Sequence, residues 1–182
     1  MNTFLRTKSR YDAILPQALQ KTTERLPEAL ALLGIEVDAA SLRLTVIDAS
    51  ALDARDAKWS AFPPNDPGNF DWRHDVGLRR KDAAPFHVAV WHGETLCGLG
   101  LGRKRGSRVD LELMEGSPDP NHPLKHLIRF CVDEGALTFT RDAGAKILRL
   151  VDPLPGALPL YEAMGFRVVR NRAGDLYCER EV

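Results

Sequence analysis

Cysteine is scarce in this sequence, and its cysteines stand far apart. The three are Cys97, Cys131 and Cys178, no two of them form a C-x-x-C pair, and each lies in an apolar or strand-like stretch. Structural zinc sites and disulfide frameworks both need cysteines in pairs or at short fixed spacings. We therefore expect three reduced thiols, no metal centre and a cytoplasmic location.

The sequence also has no surplus of charge of one sign and no long apolar run. Its 25 Lys and Arg residues balance its 25 Asp and Glu residues, so the formal net charge is zero. Proteins built to coat nucleic acid or anionic membranes carry a basic surplus, and a membrane helix needs roughly 18 or more apolar residues in a row. The N-terminal residues lack the apolar stretch of a secretory signal. We expect no membrane association, and nucleic acid is not the expected partner.

Several well-known catalytic motifs are missing. The sequence contains no G-x-S-x-G, no H-E-x-x-H and no Walker loop, which argues against α/β-hydrolases, zinc proteases and P-loop NTPases. His122 and His126 are four residues apart, as two ligands on one helix face would be. Pro123 lies between them and no third ligand is evident, so this pair does not predict a metal site.

Hydrophobic periodicity predicts a chain of alternating strands and helices after a helical start. Residues 10–33 have apolar positions at helical spacing, and Pro16 and Pro27 divide them into two short helices that end at Gly34. The further predicted elements are strands at 42–48, 86–91, 95–102, 108–114, 146–151, 166–170 and 175–179, helices at 51–60, 124–143 and 156–164, and loops at 62–85 and 116–123.

This order of elements predicts an α/β (α+β) fold. A mixed sheet with helices on its faces is the arrangement that buries the apolar sides of such strands and helices together. The length of 182 residues suits one domain with an appended element. We therefore expect a helical N-terminal extension at residues 1–40 and one domain at residues 41–182.

Two segments near the C-terminus carry a family resemblance. Residues 160–166 read LYEAMGF between a strand and the last hairpin, and residues 144–150 read GAKILRL at the preceding junction of helix and strand. With the element order, they make residues 42–181 resemble the GCN5-related N-acetyltransferase (GNAT) family. The resemblance implies a single GNAT-like domain with a mixed, mostly antiparallel twisted sheet. It also implies transfer of an acetyl group from acetyl-CoA, as co-substrate, to a primary amine of a small molecule or protein by direct attack.

The resemblance suggests which residues carry the chemistry. Tyr161 is the candidate general acid that protonates the leaving thiolate, and the alternative is that it only packs in the core with Phe166. Asp110 and Glu112 are two residues apart and so lie on one face of a strand. By the resemblance, Glu112 or a water that it orients is the first candidate for the base, and Asp110 is the second. The alternative for this pair is the solvated face of an amphipathic strand.

The expected cofactor site departs from the family pattern. Backbone groups of Leu113, Met114 and Glu115 would pair with the pantetheine arm. The family's glycine-rich phosphate loop is replaced by residues 117–129, which contain three prolines and no glycine, and proline has no N–H to offer a phosphate. Asn121 would cap the following helix, and the charges that replace the loop would come from Lys125, His126 and Arg129. The alternative is a non-catalytic binding or adaptor protein that has kept the fold and lost the cofactor.

The acceptor is not evident from the sequence. The aromatic residues Trp59, Phe62, Phe70, Trp72 and Trp91 would either wall an acceptor pocket or anchor the loop at 62–85 on the core. Asp66, Asp71 and Asp75 would attract an amine, but basic residues lie among them. The basic clusters at 78–81 and 103–108 keep a tRNA acceptor as a lesser alternative. The N-terminal helices would contact a partner protein or a second copy of the chain in a homodimer.

Overall fold

A computed structural model describes residues 3–65, 68 and 70–182. The helices are α1 (Thr3–Leu32), α2 (Ala49–Trp59), α3 (Trp72–Arg79), α4 (Ile128–Asp142) and α5 (Leu158–Ala163), with a 3-10 turn at Pro155–Ala157. The strands are β1 (Leu42–Thr45), β2 (Pro85–His92), β3 (Thr95–Arg105), β4 (Arg108–Gly116), β5 (Ile147–Val151), β6 (Arg167–Arg170) and β7 (Leu176–Glu181). No helix among the described residues is both long and apolar enough to cross a membrane.

The strands form one mixed sheet in the order β1-β2-β3-β4-β5-β7-β6. The β4–β5 pair is parallel, and the other neighbouring pairs are antiparallel. Helices α1 and α4 cover one face, and α2 and α3 cover the other. Each face has its own buried cluster, the second of which contains Trp59 and Trp72. The predicted fold class, a mixed and mostly antiparallel sheet flanked by helices, is confirmed.

The prediction of two short N-terminal helices was wrong, because α1 runs through both prolines as one helix of 30 residues. Each proline removes one backbone hydrogen bond. The buried face nevertheless continues past them, with Leu15 and Leu19 on one side of Pro27 and Leu30 on the other. Packing of this face against α4 and β1 offsets the lost hydrogen bonds.

The predicted end of α1 is confirmed at Gly34. Its φ is 74°, and the Ile35 N–H donates to the Leu30 carbonyl at 3.0 Å, as in a Schellman motif. The apolar face of α1 shares the large core cluster with the sheet and α4. The division of the chain at residue 40 stays a prediction.

Part of the predicted loop at 62–85 is helical, which corrects that prediction. Helix α3 begins after Asp71, whose carboxylate accepts a hydrogen bond from the His74 N–H at 3.1 Å. Trp72 and Val76 are buried against the sheet. The helix is only eight residues long, so its stability depends on this tertiary burial rather than on a periodic pattern.

Two glycines of β3 let α4 approach the sheet closely. A Cβ on Gly98 would lie 2.3 Å from Ile128 Cγ2, and a Cβ on Gly100 would lie 2.6 Å from Val132 Cγ1. A carbon–carbon contact below about 3 Å is strongly repulsive, since the optimum is about 3.5–4.0 Å. The distance of α4 from the sheet therefore depends on the absence of side chains at these two positions.

A methyl group at Gly100 is expected to destabilise the fold. Gly100→Ala places Cβ against both Val132 and Val88, and overpacking of a core costs roughly 1–3 kcal/mol. Urea unfolding would measure the change. The matched control is Gly77→Ala in α3, where a Cβ meets no atom within 4 Å and helix propensity favours alanine by up to about 1 kcal/mol. Equal stability of Gly100→Ala and the wild type would contradict the close packing described here.

Candidate active site

The strands β4 and β5 part from each other halfway along β4. Their parallel pairing covers Arg108–Leu111 of β4 and Ile147–Leu150 of β5. Beyond Leu111, β4 continues to Gly116 with β3 as its partner on the other side. Alternate backbone N–H and C=O groups of this half of β4 face the opening. Those of Glu112, Leu113 and Met114 lie beyond the last β5 pair and are therefore available to an extended ligand between the two strands.

A β-bulge at Glu112 changes which way the side chains of β4 point. Leu111 pairs with Gly102 and Leu113 pairs with Leu101, so Glu112 is the extra residue. A Cβ on Gly102 would lie 2.1 Å from the Asp110 carbonyl oxygen, so the bulge requires glycine there. Leu111 packs on the α4 side and Leu113 packs on the α3 side, although they are two residues apart.

The parted strands enclose a cleft of about 300 Å³. Its walls come from β4, β5, the start of α4, helix α5 and the segment after β5, and from Phe70 on the α3 side. The lining residues are Phe70, Leu111, Glu112, Leu113, Met114, Arg129, Leu150, Val151, Asp152, Pro153, Leu154 and Tyr161. Because both faces of the sheet contribute, ligands entering from opposite faces can meet in this cleft.

Tyr161 is held at the cleft by the local structure of the LYEAMGF segment. Gly165 has a φ of 83° and ends α5, and the Phe166 N–H donates to the Tyr161 carbonyl at 3.0 Å. This Schellman motif brings the two aromatic rings together edge to face, 5.7 Å apart. Tyr161 packs on Phe166 and also lines the cleft, and its role as a general acid stays a prediction.

The environment of Tyr161 keeps its phenol protonated. The side chain is 7% exposed, and the Arg129 guanidinium lies 4.6 Å from the ring centre. Burial, and to a lesser extent the charge of Asp133, raise the pKa of Tyr161 from 10 to about 12 against the opposing effect of Arg129. The hydroxyl has no hydrogen-bond partner among the described residues and is not one of their fully buried unpaired atoms. It can therefore donate to a ligand in the cleft.

Asp133 is a functional candidate that the sequence reasoning missed. It lies on α4 one turn after Arg129 and is fully buried, and neither carboxyl oxygen has a hydrogen-bond partner among the described residues. Burial raises the pKa of Asp133 from 3.8 to about 8, so the group is largely uncharged at neutral pH. The sequence feature that could have identified Asp133 is its position as an acidic residue next to Val132 on the apolar face of the predicted helix.

The two candidate bases lie in a network of arginines. Glu112 lines the cleft, and its oxygens accept hydrogen bonds from Arg79 and Arg103. Asp110 is buried outside the cleft lining and pairs with Arg108 Nε at 2.9 Å. Arg105 reaches both carboxylates, at 3.3 Å and 3.7 Å, so they lie on the same side of β4 as expected. Taking up a proton would break these ion pairs, which favours a positioning role over that of a base.

The residues expected to bind the cofactor are only partly brought together. Leu113, Met114 and Arg129 line the cleft, whereas the Glu115 side chain turns to the α3 side and accepts a hydrogen bond from Trp72 Nε1. Lys125 and His126 are exposed on the turns before α4. The cap prediction for Asn121 was wrong, because α4 begins at Ile128 with Leu127 as its N-cap.

The late start of α4 corrects the helix predicted at 124–143. Residues 122–127 form successive turns, in which the Lys125 N–H donates to the His122 carbonyl and the Leu127 N–H to the Leu124 carbonyl. His126 has a φ of 70°, which an α-helix does not allow. Leu124 is fully buried and anchors these turns. In the described part of the chain, no group of three or more His, Cys, Asp or Glu residues could hold a metal ion.

The aromatic residues near the predicted loop divide into anchors and lining residues. Trp59, Trp72 and Trp91 are buried in the core on the α3 side. Phe70 lines the cleft, and Phe62 lines a separate cavity of about 480 Å³ beside Glu115. Of the acidic residues expected to attract an amine, Asp71 caps α3; Asp66 lies outside the described residues.

Comparison with known proteins identifies the fold. No family model matches the sequence, and no curated protein sequence matches it significantly. Solved acetyltransferase structures do match the architecture, and the three named here each align with 78% of this chain. They include the GNAT domain of S. lividans PAT (10% identity, 90% of that chain, TM-score 0.59). Two others are the ribosomal-protein-S18-alanine N-acetyltransferase from Escherichia coli (14%, 94%, 0.53) and the PaiA N-acetyltransferase from Thermoplasma acidophilum, in complex with coenzyme A (14%, 99%, 0.51). The chain therefore has the GNAT fold.

Asp133→Asn is expected to flatten the pH dependence of unfolding. Since burial raises the pKa of Asp133 from 3.8 to about 8, the folded protein keeps a proton that the unfolded chain loses. The contribution of this group to the free energy of unfolding is complete below pH of about 4 and falls by up to about 1.4 kcal/mol per pH unit up to pH of about 8. Asparagine does not titrate, so the variant should be more stable than the wild type at pH of about 8.

Urea unfolding at several pH values between about 5 and 8 would measure this difference. Asp142→Asn, at the end of the same helix and paired with Lys21 at the surface, is the matched control and should follow the wild-type slope. Parallel stability curves for the wild type and Asp133→Asn would show that Asp133 is already ionised in the folded protein.

Proposed function

We propose that the protein is an acyl-CoA-dependent N-acetyltransferase. It transfers the acetyl group of acetyl-CoA to a primary amine of a small molecule or protein by direct attack. The observation that carries this proposal is the position of the Tyr161 phenol at the cleft between the parted strands β4 and β5. The GNAT fold of solved acetyltransferases, one of them in complex with coenzyme A, supports the same chemistry.

The cleft suits an extended thioester. The backbone groups of Glu112, Leu113 and Met114 lie beyond the last pair with β5 and can pair with the amide groups of a pantetheine arm, as another strand would. Leu113, Met114, Leu150 and Val151 give the cleft apolar walls. A backbone N–H at the bulge can donate to the thioester oxygen as negative charge develops there during attack.

Tyr161 acts as the general acid. Attack of the amine on the thioester carbonyl forms a tetrahedral intermediate, and its collapse breaks the carbon–sulfur bond and releases a thiolate. The phenol gives its proton to this sulfur. Arg129, 4.6 Å from the ring centre, stabilises the phenolate left behind.

Deprotonation of the acceptor involves water rather than direct contact with Glu112. Its carboxylate has about four acceptor positions, and hydrogen bonds from Arg79 and Arg103 occupy two of them. The remaining positions can orient a water molecule that receives the ammonium proton. Asp110 supports this arrangement from outside the cleft, because Arg105 lies within ion-pair distance of both carboxylates.

The start of α4 is the candidate site for the phosphates of the cofactor. Its N-cap residue, Leu127, makes no side-chain hydrogen bond to the first turn, so backbone N–H groups there remain available to an anion. Lys125 and His126 are exposed immediately before it. These two side chains would replace the contacts of a glycine-rich loop.

The charge pattern supports a small-molecule or protein acceptor over tRNA. In the basic cluster at 103–108, Arg103 pairs with Glu112, and Arg105 and Arg108 pair with Asp110. These guanidinium groups are engaged within the protein rather than forming an unpaired basic surface. The cysteines Cys97, Cys131 and Cys178 are buried and unpaired, which agrees with the proposed cytoplasmic location.

Tyr161→Phe is expected to keep cofactor binding and lose most of the turnover. Loss of a general acid typically reduces the rate by roughly 10²–10⁴-fold, whereas removal of one hydroxyl leaves the cleft intact. Titration calorimetry with acetyl-CoA measures binding, and release of free thiol with a panel of amines measures turnover. Tyr177→Phe is the matched control, since Tyr177 also packs under an arginine, Arg149, but does not line the cleft.

Absence of acetyl-CoA and CoA binding at millimolar ligand would overturn the proposal. It would favour the second candidate, a binding or adaptor protein that uses the fold without catalysis. The observation behind that candidate is the segment before α4, in which Pro118, Pro120 and Pro123 cannot donate backbone hydrogen bonds to phosphate. An adaptor would bind its partner equally well with phenylalanine at position 161.

A further inference from the structure

Asp133 combines features that a purely structural residue does not need. It is completely buried, and both of its oxygens lack a hydrogen-bond partner among the described residues. Leaving a buried polar group unpaired typically costs about 1–3 kcal/mol. A leucine of similar size would fill the same space on α4 without this cost.

The groups around Asp133 connect it to the cleft. The charged groups that act on it are Arg129 and Glu134 on α4 and Arg180 on β7. The Arg129 guanidinium lies 4.6 Å from the centre of the Tyr161 ring, and Asp133 follows Arg129 by one turn, which places both residues on the same face of α4. Among the charged groups that affect Tyr161, Asp133 has the largest effect on the pKa of the phenol. Cys178 on β7 is the remaining titratable group that acts on Tyr161. Asp133 is not a lining residue of the cleft, so it can influence a ligand only through Tyr161.

We propose that Asp133 is a positioning residue that controls the proton on Tyr161: an uncharged carboxyl allows the phenol to donate, and an ionised one prevents it. The catalytic consequence rests on the proposed acetyl transfer. The electrostatic coupling of the two side chains does not.

The proton balance of the acid step gives the reason. When the phenol O–H bond breaks and the proton joins the leaving sulfur, negative charge appears on Tyr161. Arg129 favours this charge, whereas a carboxylate at position 133 would oppose it in a poorly solvated site. Amide formation releases one proton from the amine, and thiol formation takes up one proton, so the two balance. The phenolate of Tyr161 therefore regains its proton from solvent, and no further acid is needed.

Ionisation of Asp133 then limits activity at alkaline pH. Burial places the pKa of Asp133 at about 8 and that of Tyr161 at about 12. Activity should decline above pH of about 8, where Asp133 becomes charged, well before the phenol itself loses its proton. In Asp133→Asn this decline should move to higher pH.

The decisive experiment is an NMR titration of the tyrosine Cζ carbons in the full chain. The chain has three tyrosines, and the Tyr161→Phe variant assigns the signal of Tyr161 by its loss. In the wild type we expect Tyr161 to titrate well above pH 10. In Asp133→Asn we expect its midpoint to fall by about one unit, because the carboxylate charge is gone. Asp142→Asn, the same substitution at the far end of α4, should leave it unchanged.

An unchanged Tyr161 midpoint in Asp133→Asn would overturn the inference. If that variant does not fold, the wild type alone decides: the Tyr161 signal should show a first, smaller step as Asp133 ionises near pH of about 8. A single-step titration would overturn the inference equally.

Measurement of kcat/KM as a function of pH for the wild type and for Asp133→Asn separates this inference from the proposed function. If the titrations of Asp133 and Tyr161 are coupled but the protein transfers no acetyl group, the proposed function is overturned and the electrostatic coupling remains. Acetyl transfer with the same alkaline limb in the wild type and Asp133→Asn would overturn the role of Asp133 alone.

Discussion

The parting of β4 from β5 after Leu111 is the feature on which the candidate site depends. Four residue pairs join the strands in parallel, and then the bulge at Glu112 increases the local twist of β4. Because an open strand edge leaves backbone groups unpaired, the opening is stable only where a ligand or solvent can satisfy them. The same bulge turns Leu113 to the face opposite Leu111, so both sides of the sheet contribute to the cleft.

Helix α4 links this opening to the rest of the molecule. Its first turn supplies Arg129 to the cleft, and one turn later it supplies the buried Asp133, whose charge affects the pKa of Tyr161. The helix can occupy this position because Gly98 and Gly100 present no side chain to it. Its other side packs against α1, so the long N-terminal helix supports the candidate site without contributing a lining residue.

Charge is distributed unevenly around the cleft. On the α3 side, arginines hold Glu112 and Asp110 in a closed network of ion pairs. On the α4 side, burial keeps both Tyr161 and Asp133 protonated at neutral pH. The site has uncharged acids on one side and fixed carboxylates on the other. Because the acids are already protonated, the site can move a proton toward a leaving group without first taking one up.

The sequence by itself determined the features that depend on neighbours along the chain. Alternating patterns located the strands, because successive side chains of a strand point to opposite faces. Gly34 marked the end of α1, and the LYEAMGF segment placed Tyr161 before a glycine-terminated helix end, because the hydrogen bonds of a helix end close within a few residues. Only the tertiary structure decided the continuity of α1 through its prolines, the helix α3, the arginine partners of Glu112 and the burial of Asp133. Each of these depends on residues distant in sequence, whose packing overrides local preference and sets the dielectric around a charge.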